Sequence, residues 1–293
     1  MKEMIQNKYL KVEMNLLGGS LTSIFDKENN EDILYQPEID AWQGQDVAIF
    51  PFVARLKNKT YTYKDKEYSL RNHGLCRYYG FEVVDKKDDS ITLLFKSNED
   101  TLKEYPFLFH FYITYQVENK TLHISYKVTN DNEEIMPFGI GAHPAFKLNS
   151  VINEKGVDTR GNCIILNQPT SLNRICFDKN GEFVVGKEPY KPLNEIDIDK
   201  EIFREYKTLC LEGDNLKDVI LKRKDGRFVR FHYDNIKFFI LWSNETTGSF
   251  VAIEPWMSLP DFIDADKDIM KKKTLIHLKG KESYNFSYSV TIE

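Results

Sequence analysis

Phe107-Leu108-Phe109-His110-Phe111-Tyr112-Ile113-Thr114-Tyr115, the polar Glu118-Asn119-Lys120 and Leu122-His123-Ile124-Ser125-Tyr126-Lys127-Val128-Thr129 read together as a β-hairpin. The first run is apolar on both faces, which predicts a strand enclosed inside a sandwich. The second alternates, with Leu122, Ile124, Tyr126 and Val128 on one face and His123, Ser125 and Lys127 on the other, the period of two that a half-buried strand requires. His123 is therefore expected at the surface.

The same grammar extends outward from this hairpin. After position 218, Asp225-Gly226 and Asp234-Asn235 separate Val219-Ile220-Leu221, Arg227 to His232 and Lys237 to Trp242, which predicts a meander of three hairpin-linked strands. Ser249 to Glu254 and Ser283 to Ile292 add two more, and Tyr284, Phe286, Tyr288 and Val290 on one face tie the last into a sheet. Helical signals are few: Lys200 to Tyr206, and a turn near Asp264 to Met270. With 20 Phe and 16 Tyr among 293 residues, flat rings that pack well on a pleated surface dominate the apolar content. No Pro-, Gly- or Ser-rich stretch divides the chain and no internal repeat appears. The fold class expected is mostly β, a large antiparallel β-sandwich forming one domain over residues 1–293.

The formal net charge of −5 would repel a polyanion, so no nucleic-acid partner is expected. The basic runs Lys271-Lys272-Lys273 and Lys222-Arg223-Lys224 sit beside acidic neighbours and read as solvated faces. The first eight residues lack the apolar centre of a signal peptide, and no run approaches the ~20 apolar residues of a membrane span, so a cytoplasmic protein without a membrane partner is expected. Cys76, Cys163, Cys176 and Cys210 show no C-x-x-C spacing, and reduced thiols are the reading. Cys76, close to His73, is either a nucleophile or a small space-filling residue.

Acid/base chemistry is carried by three segments: Arg71-Asn72-His73-Gly74, Gly139 to Phe146 around His143, and Val251-Ala252-Ile253-Glu254-Pro255-Trp256. Alternation places Phe250, Ala252 and Glu254 on one face, so the carboxylate sits in an apolar setting that raises its proton affinity and suits a general base. The alternative for Glu254 is an ion pair with Arg or Lys at a strand end. Gly141 and Pro144 hold His143 on a tight path, which suits a mounted general acid or a core histidine bonded to a carbonyl. His73, beside Gly74, Arg71 and Arg77, invites the same two readings, or that of a turn residue. No H-E-x-x-H pair, G-x-S-x-G elbow or phosphate-binding glycine loop is present, so no metal site, nucleophilic triad or nucleotide cofactor is expected.

Pro51 to Asn58 followed by Tyr61-Thr62-Tyr63, then Asn72 to Arg77, Gly141 to Phe146 and Ile253 to Trp256, resemble the aldose 1-epimerase (galactose mutarotase-like) family, in particular its LacX-type branch. The resemblance runs in order along nearly the whole chain. It implies an open sugar groove on a β-sandwich, with Glu254 as general base, His143 as general acid and His73 holding the sugar near its reacting end. It further implies that Arg55 and, less directly, Arg77 contact substrate, and no residue matches the family's sugar-binding aspartate. Trp242, Trp256 and Phe146 are candidates to stack on a sugar, or are core aromatics. The expected reaction is interconversion of α and β anomers of an aldohexose without metal or cofactor, by a monomer or homodimer. The alternatives are a hexose-6-phosphate 1-epimerase, for which Arg55, Arg71 and Arg77 would converge on phosphate, and a carbohydrate-binding protein without turnover.

Overall fold

The computed structural model describes residues 1–37, 42–153, 156–167, 172–190, 194–213, 216–244 and 248–293. The hairpin joins Phe109–Glu118 to Thr121–Asn130. Pairing of Glu118 with Thr121 leaves Asn119 and Lys120 as the turn, and Asn119 takes a left-handed φ of 51°, which asparagine tolerates. Leu122, Ile124, Tyr126 and Val128 are buried, while Ser125 and Lys127 are exposed and His123 is half-buried. The neighbouring strand departs from the expectation of two buried faces. Phe109, Phe111, Ile113, Tyr115 and Val117 are buried, but His110, Tyr112 and Thr114 are half-buried and Leu108 is exposed. Among the described residues that side of the sheet is covered only in part, and the aromatic and β-branched residues there serve strand propensity more than burial.

This hairpin lies in a nine-stranded antiparallel sheet ordered Glu195–Asp197, Cys163–Leu166, Asp218–Lys222, Phe228–Tyr233, Ser283–Ile292, Thr121–Asn130, Phe109–Glu118, Ser90–Lys96, Glu82–Lys86. Facing it is an eight-stranded sheet ordered Val184–Tyr190, Leu172–Phe177, Thr208–Glu212, Phe238–Trp242, Phe250–Trp256, Gly141–Ala142, Ala48–Ile49, with Ala145–Lys147 also paired to Phe250–Trp256. The expected meander is therefore broken. Asp218–Lys222 pairs with Phe228–Tyr233, but Phe238–Trp242 crosses to the opposite sheet and pairs with Thr208–Glu212 and Phe250–Trp256. The crossing has a physical reason: Phe238, Phe239, Ile240 and Leu241 are all buried, and in the eight-stranded sheet an apolar group covers each face of this strand.

Phe111, Tyr126, Phe231, Phe286 and Tyr288 meet Phe239, Leu241, Val251 and Ile253 in the main core between the sheets. A smaller apolar group, including Ile49, Val53, Cys210, Ile240, Trp256 and Leu259, covers part of the other face of the eight-stranded sheet. The Lys200–Tyr206 helix forms, with the Asp199 side chain accepting from the N–H groups of Glu201 and Ile202. Asp264 to Met270 ends in a 3-10 turn, Ile269–Lys271. The short helix Glu99–Glu104, opened by a capping box at Asn98, carries no apolar stripe that would have announced it. No described helix is long and apolar enough to cross a membrane.

Candidate active site

On the outer face of the eight-stranded sheet, Trp42, Arg55, Asn72, His73, Arg77, His143, Glu182, Trp242, Glu254 and Trp256 line a cleft of about 320 Å³. Strand register assembles its centre. Gly141 pairs with Trp256 and Ala145 with Ala252, so each pair of numbers sums to 397. The same sum makes position 143 the cross-strand partner of position 254, although 111 residues separate them. His143 Nε2 lies 3.3 Å from Glu254 Oε1. The Ile253 N–H donates to the Pro144 carbonyl at 3.0 Å, closing the ladder beside the pair. Gly141 is required for this approach: a Cβ there would meet Trp256 Cδ1 at 2.8 Å and the Pro255 carbonyl oxygen at 2.9 Å.

Glu254 is 1% exposed, and no arginine or lysine among the described residues pairs with it. The Trp256 indole N–H donates to its Oε2 at 3.1 Å, which fixes the carboxyl plane and leaves Oε1 toward His143. Burial pushes the Glu254 carboxyl well above the ordinary glutamate range, opposed in part by the Trp256 bond. Burial likewise pushes the His143 imidazole down to about 3, with Arg77 acting in the same direction. Both groups are driven toward neutrality, so the pair favours the state with one proton on the carboxyl. Transfer of that proton across the 3.3 Å contact yields carboxylate and imidazolium without changing the proton count. Asp46, buried and itself pushed up to about 6 by that burial, accepts the Leu21 N–H at 3.0 Å and lines the same region of the structure.

His73 is a left-handed turn residue with φ 62°, and its N–H donates to the Ala54 carbonyl at 2.9 Å. Its Nδ1 accepts from the Ala54 N–H at 3.3 Å, which places the proton of the neutral ring on Nε2 as a donor. Burial, together with the charges of Arg77 and Arg55, holds His73 neutral. Its ring centroid lies 5.5 Å from that of His143, with Trp256 beyond it at 6.3 Å. Trp42 and Trp242 flank His143 at 4.9 Å and 5.5 Å.

The structure thus gathers Glu254, His143, His73, Arg55, Arg77, Trp242 and Trp256 around one cleft. It does not place Phe146 there. That ring packs edge-on against Phe231 at 4.7 Å in the main core, because residues 143 and 146 fall on opposite faces of the strand pair. Arg71 also stays out, bound to Glu104 at 3.2 Å and stacked on Tyr78 at 3.7 Å, so the three arginines do not converge. Cys76 is fully buried in the main core, where burial pushes its thiol far up, and it fills space. Among the described residues no three His, Cys, Asp or Glu side chains cluster as metal ligands would. Trp42 and Glu182 are additions that the sequence did not single out. Both sit in connections without periodicity, where pattern carries no information about facing.

The fold and the site define a large antiparallel β-sandwich with a buried carboxyl–imidazole pair in an aromatic-walled cleft, and comparison gives the family. The Aldose 1-epimerase family model matches residues 2–291, and the chain belongs to that family. A galactose mutarotase related enzyme from Lactobacillus acidophilus superposes with a TM-score of 0.92 at 30% identity, covering 100% of this chain and 97% of that one. A galactose mutarotase-like protein from Lactobacillus casei gives 0.92 at 22% identity, with full coverage of both chains. Protein LacX of Lactococcus lactis subsp. lactis is 28% identical over 301 residues, covering 98% of each.

Proposed function

We propose that the protein is a mutarotase that interconverts the α and β anomers of an aldohexose. The observation that carries this reading is the cross-strand pair of His143 and Glu254, buried and 3.3 Å apart at the floor of the cleft. With a sugar bound, the Glu254 carboxylate takes the proton of the anomeric hydroxyl while the His143 imidazolium gives one to the ring oxygen, and the C1–O5 bond breaks to leave an aldehyde. Rotation about C1–C2 presents the other carbonyl face. Reclosure with the roles reversed returns both protons, so the pair is regenerated and the reaction needs nothing else. In this reading the His73 Nε2–H donates to a hydroxyl near the reacting end and the Trp42 and Trp242 rings meet the C–H side of a pyranose, a reading supported by the Ala54 N–H bond to His73 Nδ1 and by the rings' closeness to His143.

The test is polarimetry of freshly dissolved α-D-galactose and α-D-glucose with and without the protein. Acceleration above the spontaneous rate is expected. A folded protein that binds either sugar yet accelerates neither would replace the mutarotase reading with that of a binding protein.

A further inference from the structure

We propose that Glu182 sets the substrate class of this cleft. Paired with Arg55, it presents a hydroxyl-binding fork that admits an uncharged aldose and disfavours an aldose phosphate. This inference rests on the mutarotase reading and extends it to a residue that the resemblance does not assign.

Glu182 Oε1 lies 3.3 Å from Arg55 Nη1, with side chains 32% and 47% exposed. Surface pairs of this kind contribute little stability. The mounting, however, is not that of a casual surface contact. Asp178 holds the turn that carries Glu182: its carboxylate accepts the Glu182 N–H at 2.8 Å and its carbonyl accepts the Gly181 N–H at 2.9 Å. Asp261 then joins that turn to the Arg55 segment. Its N–H donates to the Arg55 carbonyl at 3.1 Å, and its carbonyl accepts the Val184 N–H at 3.0 Å. The Asp261 side chain is itself locked by the buried Lys272 ammonium at 2.6 and 2.8 Å. The Asp178 turn, the backbone bonds of Asp261 and a buried ion pair therefore brace the two segments that carry one guanidinium and one carboxylate side by side at the cleft wall.

Such a pair offers planar N–H donors beside a carboxylate acceptor, the combination that recognises vicinal hydroxyls, which both donate and accept. Asn72 lines the same part of the cleft, and its amide oxygen is buried without a hydrogen-bond partner. For a phosphate the same arrangement is adverse. Glu182 already neutralises Arg55, so the pair has no net charge to offer a dianion; at about 5 Å and near-aqueous dielectric the attraction that Glu182 cancels is worth on the order of tenfold. Arg77 has no carboxylate partner among the described residues, but its charge acts on both His73 and His143, at the reacting end of the cleft. The recess adjoining the pair, bordered by Arg55, Asn72 and Glu182, also contains Lys59.

The experiment compares kcat and KM for glucose and glucose 6-phosphate in the wild type, Glu182→Gln and Glu182→Asp. In the wild type kcat/KM should favour the free sugar. Glu182→Gln should raise KM for glucose about tenfold, with the loss falling on KM rather than kcat, and should narrow the preference over the phosphate about tenfold. Glu182→Asp should recover part of the preference, which a merely structural role would not give. A wild type that prefers the phosphate, or a ratio that Glu182→Gln leaves unchanged, overturns the proposal. If the wild type accelerates neither sugar, the mutarotase reading fails, and calorimetric binding of the same two sugars decides for Glu182. Tighter binding of glucose, with the gap closing in Glu182→Gln, upholds it, and equal or reversed affinities overturn it.

Discussion

Replacing Glu254 by Gln removes one proton acceptor from the cleft while keeping its shape. The amide is nearly isosteric, and its oxygen can still accept the Trp256 indole N–H that Oε2 accepts at 3.1 Å. Glu254 is 1% exposed, so the wild-type protein bears the desolvation of a carboxyl that the amide avoids, and the variant should unfold at the same temperature or higher. The chemical step should suffer badly, because an amide cannot take the anomeric proton. General base catalysis contributes about 10²–10⁴, so kcat should fall by that factor, about 3–5 kcal/mol of activation free energy. The residual rate then reflects His143 and binding alone. The assay is polarimetry at several enzyme concentrations with the spontaneous rate subtracted, alongside a thermal unfolding curve. A Glu254→Gln protein that folds normally and keeps kcat within threefold of the wild type would refute the assignment of the base and, with it, the functional reading of the His143 contact.

Three further outcomes follow from the geometry. The pair works only with one proton between its two groups; a second is resisted because burial pushes His143 down to about 3, and loss of the last is delayed because burial raises Glu254. Activity should thus fall on the acid side only well below neutrality and on the alkaline side only above the ordinary glutamate range, giving a broad kcat/KM profile; a narrow bell with limbs near about 4.3 and 6.5, the unperturbed values, would contradict it. Lys272→Met strands the Asp261 carboxylate, 3% exposed, without its cation and should cost about 3–5 kcal/mol in a urea unfolding experiment, with Asp261→Asn added in the same chain restoring part of the loss. Gly74→Ala places a Cβ 2.4 Å from the Phe50 carbonyl oxygen at a φ of 77°; backbone strain of about 1–3 kcal/mol plus that clash should lower Tm and, through the adjoining His73, raise KM, whereas an unchanged Tm would show that the turn relaxes freely.

Much of the fold was written locally. Alternation in Leu122 to Thr129 and in Phe286 to Val290 named the buried residues of two central strands, with Tyr284 half-buried at the strand's start, and the Asn119-Lys120 turn followed from its composition. Where a run was apolar on both faces, periodicity lost its power. The pattern of Phe107 to Tyr115 suggested two covered faces where one is open, and that of Lys237 to Trp242 suggested a third meander strand where the chain changes sheets. A doubly apolar strand states that it wants cover but not which layer supplies it. The candidate site divides in the same way. Glu254, His143 and His73 stood out by residue type and glycine punctuation, and Phe146 seemed to belong with them only through closeness in sequence.

The sequence by itself determined the β class, the faces of the alternating strands and the residue types of the candidate site, because these depend on residue type and on a period of two that near neighbours express. The tertiary structure alone decided the register that sets His143 opposite Glu254, the burial that drives both toward neutrality, and the partners of Arg55 and Arg71. Register, desolvation and ion pairing are properties of segments far apart in the chain, and they come into existence only when the sheets close upon one another.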